Sequence, residues 1–192
     1  LRWEALLMVE SGYADEIARL NQEIQEQQRR LDAVMRIAGS LSTIMKVDEL
    51  ISEAMRITLD VAESDAGSIL LYDPDKKKLV FEYVVGPKDE ELTGMELEPD
   101  QGIVGATFQT GQTSVYDDVS KNEEHLKSVG EKVGYATVSM VTVALKSPER
   151  NAVGAMQILN KRNGCFTRHD VELIELMAAE IAVAIENAFV PG

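Results

Sequence analysis

Two long apolar segments in the last third of the chain, followed at once by a capped helix, constrain the fold most strongly. Ala136–Lys146 and Ala152–Asn160 predict two long strands. The intervening residues 147–151, Ser-Pro-Glu-Arg-Asn, are typical of a turn. Thr167 predicts the start of a final helix, with Asp170 three residues later completing a capping box. A chain with this ending needs a sheet on which the helix can pack.

The predicted final helix carries apolar residues on two faces. One stripe advances in steps of three and four residues, and a second stripe lies beside it; the first comprises Val171, Ile174, Ala178, Ile181, Ile185 and Ala188, and the second Leu173, Met177 and Ala184. We expect one stripe to cover the sheet and the other to meet a partner chain.

The N-terminal region has a heptad pattern. Apolar residues alternate in steps of three and four, with isoleucine frequent at a and leucine at d, as in parallel two-stranded coiled coils; the positions are Ile17, Leu20, Ile24, Gln27, Leu31, Val34, Ala38, Leu41 and Met45. A helix packed on its own domain is the alternative. The pattern predicts a coiled-coil or linker helix over 1–30, a globular domain over 31–189 and a tail over 190–192.

The segment after the heptads predicts a helix and then a hairpin. Asp48 is a suitable N-cap for the helix. Ser68–Tyr72 is a short apolar strand that ends at the turn sequence 73–75, Asp-Pro-Asp. The next strand alternates, so that Leu79, Phe81, Tyr83 and Val85 are expected on one side of the sheet.

The middle of the chain is less regular. Asp100 predicts the cap of a short helix that ends at Gly111, because glycine tolerates a left-handed conformation. Thr113–Tyr116 predicts a short strand, and a helix is expected around 123–132.

Composition excludes several classes of protein. The 192 residues suffice for one domain and a long helix. A net charge of -14 disfavours nucleic acid and anionic membranes as partners. No apolar run is long enough to span a bilayer. The single cysteine, Cys165, fits a reducing compartment, so a cytoplasmic location is expected. The first residue is Leu1, and we expect a piece of a longer protein.

The order of elements and two motifs resemble a GAF domain, the small-molecule sensor module of signalling proteins, over 31–188. The motifs are Gly102-Ile103-Val104-Gly105 with Thr110-Gly111, and Val153–Lys161 followed by Phe166. The resemblance implies an α+β fold in which a central antiparallel sheet has helices on one face and pocket loops on the other. It also implies dimerisation through the first and last helices; the interface residues would be Ile17, Leu20, Ile24, Leu31, Val34, Leu41, Ile174, Ile181 and Ile185.

The same resemblance implies a ligand pocket. Its apolar and hydroxyl-bearing walls would be Phe81, Tyr83, Val104, Val115, Tyr116, Ser139 and Val141. Asp117, with its neighbour Asp118, would accept hydrogen bonds from an amine or hydroxyl of the ligand. Backbone N–H groups after Asp100 would hold an anion.

A short signature near the final helix resembles that of cyclic-nucleotide-binding members. It comprises Asn160-Lys161, Phe166 and Asp170, but Val171 stands where those members have glutamate. The helix start accounts for Phe166 and Asp170 without any ligand. Lys161 is expected to pair with Asp170 and so to tie the strand to the helix.

No catalytic motif is recognisable, and the chain is expected not to be an enzyme. There is no nucleophile beside a base and no phosphate-binding glycine loop. GAF-like methionine sulfoxide reductases rely on several cysteines, and bilin carriers on a cysteine in another sequence context. The expected function is a sensor that passes a ligand signal through dimeric helices to an effector domain. The alternative is a ligand-free dimerisation and spacer module; the sequence identifies no cofactor or metal site.

Overall fold

The computed structural model describes residues 47–121, 134–146 and 152–189, together with positions 19, 22, 23 and 25, which are helical and exposed. The chain divides into two compact units, 1–39 and 40–192. The predicted heptad residues 17–45 and the predicted helix at 123–132 lie outside the described residues, so the coiled coil and the domain boundary at 31 stay predictions.

The second unit alternates between strands and helices. Its elements are helix α1 (Val47–Val61), strands β1 (Ser64–Asp73) and β2 (Lys78–Val85), helix α2 (Asp89–Leu92), strand β3 (Glu96–Leu97), helix α3 (Gly102–Thr110), strand β4 (Ser114–Tyr116), a 3-10 turn (Val119–Lys121), strands β5 (Met140–Lys146) and β6 (Ala152–Lys161), and helix α4 (Arg168–Phe189).

The strands form one sheet in the order β3-β2-β1-β6-β5-β4. Every neighbouring pair is antiparallel, which confirms the predicted α+β fold. Strand β5 begins at Met140 and not at Ala136 as predicted. The preceding residues leave the ladder because the side chain of Asn160 binds Ala136 and Val138 in place of a strand backbone.

Helices α1 and α4 pack on each other and on one face of the sheet, here called the helical face. Contact is close enough that a Cβ on Gly67 would lie 2.9 Å from Met55 Cε and 3.2 Å from Ile158 Cδ1. A side chain at position 67 would therefore displace the terminal methyl group of Met55. Cross-strand partners share a face, so Val141, paired with Ile158, also points to this side.

Helix α4 buries a single wide face, so the prediction of one stripe for the sheet and another for a partner is corrected. Six of its buried residues come from the two stripes and Ala182 lies outside them; the full set is Leu173, Ile174, Met177, Ala178, Ile181, Ala182 and Ile185. Because the two stripes are adjacent, both fit against the sheet and α1. Among the side chains of α4 that the structure describes, the large apolar ones that stay exposed are Leu176 and Val183, at 42% and 39%.

Local signals place most element ends correctly. Thr167 and Asp170 form the predicted capping box: Thr167 N–H donates to Asp170 Oδ2 at 2.8 Å, and Asp170 N–H donates to Thr167 Oγ1 at 3.2 Å. Gly111 ends α3 in the left-handed conformation. Asp48 lies inside α1 rather than before it, and β1 starts at Ser64, four residues before the predicted strand.

Candidate functional site

A cavity of about 90 Å³ lies on the sheet face opposite α1 and α4, here called the cavity face. Several water molecules would fit, since one needs about 10–15 Å³ of such space. Its walls are mainly apolar: Ala66, Gly67, Phe81, Val84, Val85, Gly86, Pro87, Leu92, Leu97, Ile103, Val104, Met140 and Leu159. The polar lining residues are Ser68, Lys88, Tyr135, Thr137 and Gln157.

An irregularity in β2 decides which of its side chains reach the cavity. Leu70 pairs with Phe81 while Ile69 pairs with Tyr83, so Glu82 is left as a bulge. The bulge reverses the alternation, and Phe81 and Val84 both face the cavity. Tyr83 is turned to the helical face.

On the helical face, the hydroxyl of Tyr83 donates to Asp48 Oδ1 of α1 at 2.7 Å. Burial, and then the hydrogen bond to the Asp48 carboxylate, raise the pKa of the Tyr83 phenol. Tyr83 is therefore a neutral donor at neutral pH, and it links the strand beside the cavity to the first turn of α1.

A row of polar residues crosses the cavity face at one level. Ser68, Gln157, Thr142 and Ser114 are successive cross-strand partners on β1, β6, β5 and β4. Ser68, Gln157 and Thr142 are 3%, 8% and 0% exposed. The row continues to α3, because Thr107 Oγ1 lies 3.0 Å from Ser114 Oγ. A buried polar row of this kind needs internal partners, and it connects the cavity floor with α3.

Asn160 holds one wall of the cavity in place. Its backbone is left-handed, with φ 57°, a conformation that asparagine tolerates better than most residues. Its Nδ2 donates to Ala136 O at 2.9 Å and to Tyr135 Oη at 3.1 Å, and its Oδ1 accepts from Val138 N–H at 2.7 Å. These bonds fix the segment that carries Tyr135 and Thr137. Burial raises the pKa of the Tyr135 phenol, against a lowering by the Asn160 hydrogen bond.

Lys161, the next residue, binds on the helical side. Its Nζ donates to Asp170 Oδ1 at 3.0 Å and to Ala62 O, just after α1, at 3.0 Å. The side chains of Lys161 and Asp170 are only 8% and 12% exposed. The predicted pair is thus confirmed, and it joins β6 to both helices.

Of the eight predicted pocket residues, the structure brings Phe81 and Val104 together on the cavity wall. Tyr83 and Val141 point to the helical face, for the reasons of register given above. The Ser139 hydroxyl accepts a hydrogen bond from Lys161 N–H at 3.0 Å and does not line the cavity.

The remaining three lie at the edge strand and just beyond it. Val115 is 42% exposed. Tyr116 packs with Ile103 and Met140, behind the wall that those residues form. Asp117 is exposed and, by its charge and a hydrogen bond, raises the pKa of the Cys165 thiol.

The polar lining residues were not predicted from the sequence; they are Ser68, Lys88, Tyr135, Thr137 and Gln157. One signal was available: Gln157 interrupts the otherwise apolar run of β6, and a lone amide inside a buried strand indicates a polar contact on that face. Tyr135 and Thr137 gave no such signal, because their position depends on the distant Asn160.

Within 47–121, 134–146 and 152–189, no three His, Cys, Asp or Glu side chains are grouped to hold a metal. None of the described helices combines the length and apolarity needed to cross a bilayer.

Comparison with known proteins identifies relatives of this fold. The family described as GAF domain matches residues 45–186. A probable 3',5'-cyclic phosphodiesterase, pde-5, of Caenorhabditis elegans is 24% identical over 179 residues, 88% of this chain and 24% of the relative. A cGMP-specific 3',5'-cyclic phosphodiesterase of Drosophila melanogaster is 28% identical over 120 residues, 62% of this chain and 10% of the relative. The chain thus spans a quarter or less of these relatives.

Solved structures agree on the fold. The GAF domain of a phosphoenolpyruvate-protein phosphotransferase from Coxiella burnetii has a TM-score of 0.76 at 12% identity, covering 84% of this chain and 95% of that one. Residues 122 to 287 of a methyl-accepting chemotaxis protein give 0.67 at 23% identity, covering 79% and 96%.

Proposed function

Because the chain belongs to the GAF domain family, a family of regulatory sensor domains, we propose that it binds a small molecule and reports the binding to an effector domain elsewhere in its protein. The proposed site is the cavity of the sheet. The proposed output runs through α1 and α4. The domain itself performs no chemistry in this proposal.

Two consecutive residues of β6 carry the proposal. Asn160 holds the segment 135–138 that forms one cavity wall, and Lys161 holds α4 and the end of α1. A ligand that moves this wall would therefore displace Asn160. The neighbouring residue Lys161 would pass the displacement to both helices. The ligand shifts the helices only as far as it binds two arrangements unequally. A coupling free energy of about 1–3 kcal/mol is typical of such switches.

Cyclic GMP is the first ligand to test, because relatives carry its name. Lys88 is the charged residue among the described lining residues, and its Nζ already binds Glu91 Oε1 at 3.0 Å. Val171 also replaces the glutamate of the cyclic-nucleotide signature. Both features argue for testing uncharged metabolites alongside the nucleotide.

Dimerisation remains part of the proposal, with a revised surface. Ile174, Ile181 and Ile185 are buried within the chain, so they are not available to a partner. Leu176 and Val183, seven residues apart, lie on the same exposed side of α4 and would meet a second copy. The N-terminal heptads would extend the contact.

The experiment is a thermal unfolding screen of the chain against cGMP, cAMP and an uncharged metabolite set. A ligand of the cavity raises the midpoint, because it binds only the folded state. Val104→Trp fills the cavity from its wall and should abolish the rise, whereas the exposed substitution Val115→Trp should not. If no molecule stabilises the protein, the ligand-free dimerisation and spacer function is supported instead. Turnover of a stabilising ligand would contradict the non-catalytic part of the proposal.

A further inference from the structure

A buried primary amide stands on the cavity floor, and its hydrogen bonds are either long or made to a weak acceptor. Gln157 Nε2 donates to Met140 Sδ at 3.4 Å and to Thr142 Oγ1 at 3.5 Å, and its Oε1 accepts from Ser68 Oγ at 3.5 Å. Good N–H···O bonds measure about 2.7–3.2 Å, and a thioether is a weak acceptor. At 8% exposure, most of the amide is withdrawn from bulk water, and its protein partners are weak, which is unfavourable.

The amide of Gln157 lies between two apolar rows of the cavity face. The cross-strand row on one side consists of Ala66, Leu159 and Met140, and the row on the other side of Leu70, Ala155 and Ala144. Ser68 and Gln157 are thus a polar pair on an apolar floor, and both line the cavity. A ligand in the cavity would meet one amide and one hydroxyl at a fixed position.

The charge of the wall restricts the ligand further. The ammonium group of Lys88 is paired with Glu91 and is 31% exposed at the rim. A buried anion would therefore lie among the described lining side chains without a cation of its own, which is costly. The first turn of α3 also borders the cavity and its N–H groups favour anions, so an anionic probe belongs in the test.

We propose that Gln157 and Ser68 recognise an amide or lactam edge, a neighbouring N–H donor and C=O acceptor, on a ligand whose buried part is uncharged. The inference rests on the proposed sensor function and names the class of ligand. The ligand N–H donates to Gln157 Oε1 and the ligand C=O accepts from Gln157 Nε2. Two well-formed hydrogen bonds then replace the weak contacts of Gln157. The Ser68 hydroxyl donates to the second lone pair of the ligand carbonyl oxygen.

The experiment compares three probes of nearly equal size on the full chain by isothermal titration calorimetry: benzamide, benzoate and ethylbenzene. Benzamide should bind at least about tenfold more tightly than either, because each hydrogen bond contributes roughly 1 kcal/mol and 1.4 kcal/mol is a factor of ten. Equal affinity of ethylbenzene would overturn the amide assignment. Equal or tighter binding of benzoate would overturn the uncharged assignment.

Gln157→Leu keeps the approximate volume and removes the amide. Benzamide should bind about fivefold to tenfold more weakly to this variant, while ethylbenzene should bind at least as well as before. Gln112→Leu, the same change at an exposed position, is the matched control and should alter neither affinity. If Gln157→Leu does not unfold cooperatively, Ser68→Ala takes its place, with a smaller loss for benzamide alone.

The outcomes separate this inference from the sensor proposal. Preferential binding of benzoate or ethylbenzene to the cavity contradicts the inference and leaves a small-molecule sensor in place. No binding of benzamide at millimolar concentration also overturns the inference. The sensor proposal itself fails only if cGMP, cAMP and the uncharged metabolites fail to stabilise the fold as well.

Discussion

The two faces of the sheet differ in how completely they are filled. On the helical face, Met55, Ile158 and Met177 are 0% exposed, and a Cβ at position 67 would lie only 2.9 Å from Met55 Cε. On the cavity face, a row of polar residues runs beside a space of about 90 Å³. Filled interiors resist change, because every displaced atom loses contacts. The helical face is therefore expected to be the more rigid of the two, and the cavity face is the proposed binding side.

The largest expected effect comes from breaking the Lys161–Asp170 pair, which joins β6 to the helices. Lys161→Met leaves the Asp170 carboxylate buried without its cation, which should lower the free energy of unfolding by about 3–5 kcal/mol. Urea denaturation followed by circular dichroism measures the change. Lys76→Met, which breaks an exposed pair with Glu96, is the control and should have no measurable effect. Similar behaviour of the two variants would mean that the buried pair does not hold the helices.

A matched pair of truncations measures the difference between the faces directly. Met55→Ala removes a fully buried side chain from the helical face and should cost about 2–5 kcal/mol of unfolding free energy. Met140→Ala removes the same atoms from the cavity wall, where part of the surface already borders empty space, and should cost roughly half as much. Equal costs in urea denaturation would contradict the comparison.

Removing the side chain of Asn160, which holds one wall of the cavity, should have a smaller effect. Asn160→Gly retains the left-handed backbone and loses the four side-chain hydrogen bonds, so we expect a loss of about 1–3 kcal/mol. Amide hydrogen exchange should accelerate at Val138 and Ser139, whose N–H groups Asn160 binds. Asn160→Asp retains the acceptor and is the control, with slower exchange at Val138 than in the glycine variant. Unchanged exchange in both variants would show that other contacts hold this wall.

The smallest expected effect is at the bulge. Tyr83→Phe removes the hydroxyl that bonds Asp48 and should cost about 0.5–1.5 kcal/mol, the usual net value of one hydrogen bond. The double variant with Asp48→Ala should cost little more than either single variant, because they break the same bond. Fully additive costs would show that Tyr83 and Asp48 act separately.

Sequence alone predicts the parts of this molecule that local chemistry determines. The capping box of α4, the left-handed end of α3 at Gly111 and the turn at Asp73 each depend on residues within a few positions of one another. The Lys161–Asp170 pair follows from the same short segment. The element order together with the two motifs at Gly102–Gly105 and Val153–Lys161 was enough to identify the family.

Sequence does not predict which way several site residues face. Tyr83 points away from the cavity because Glu82 is bulged, and that bulge depends on the register between β1 and β2. Val141 faces the helical side because β5 takes its register from β6, and Ser139, just before β5, binds Lys161 N–H instead of lining the cavity. A shift of one residue exchanges the two faces of a strand, so an alternating pattern with apolar residues on both sides leaves the choice open.

Methionine methyl resonances provide the most direct test, because the matched residues Met55 and Met140 report on opposite faces of one sheet. The ¹³C-methyl signals of the chain are followed during a titration with benzamide, with Met140→Ala used to assign the cavity signal. A saturable shift is expected at Met140, and Met55 should move least. No shift at Met140, or a larger one at Met55, would contradict the claim that the cavity face is the binding side of this protein.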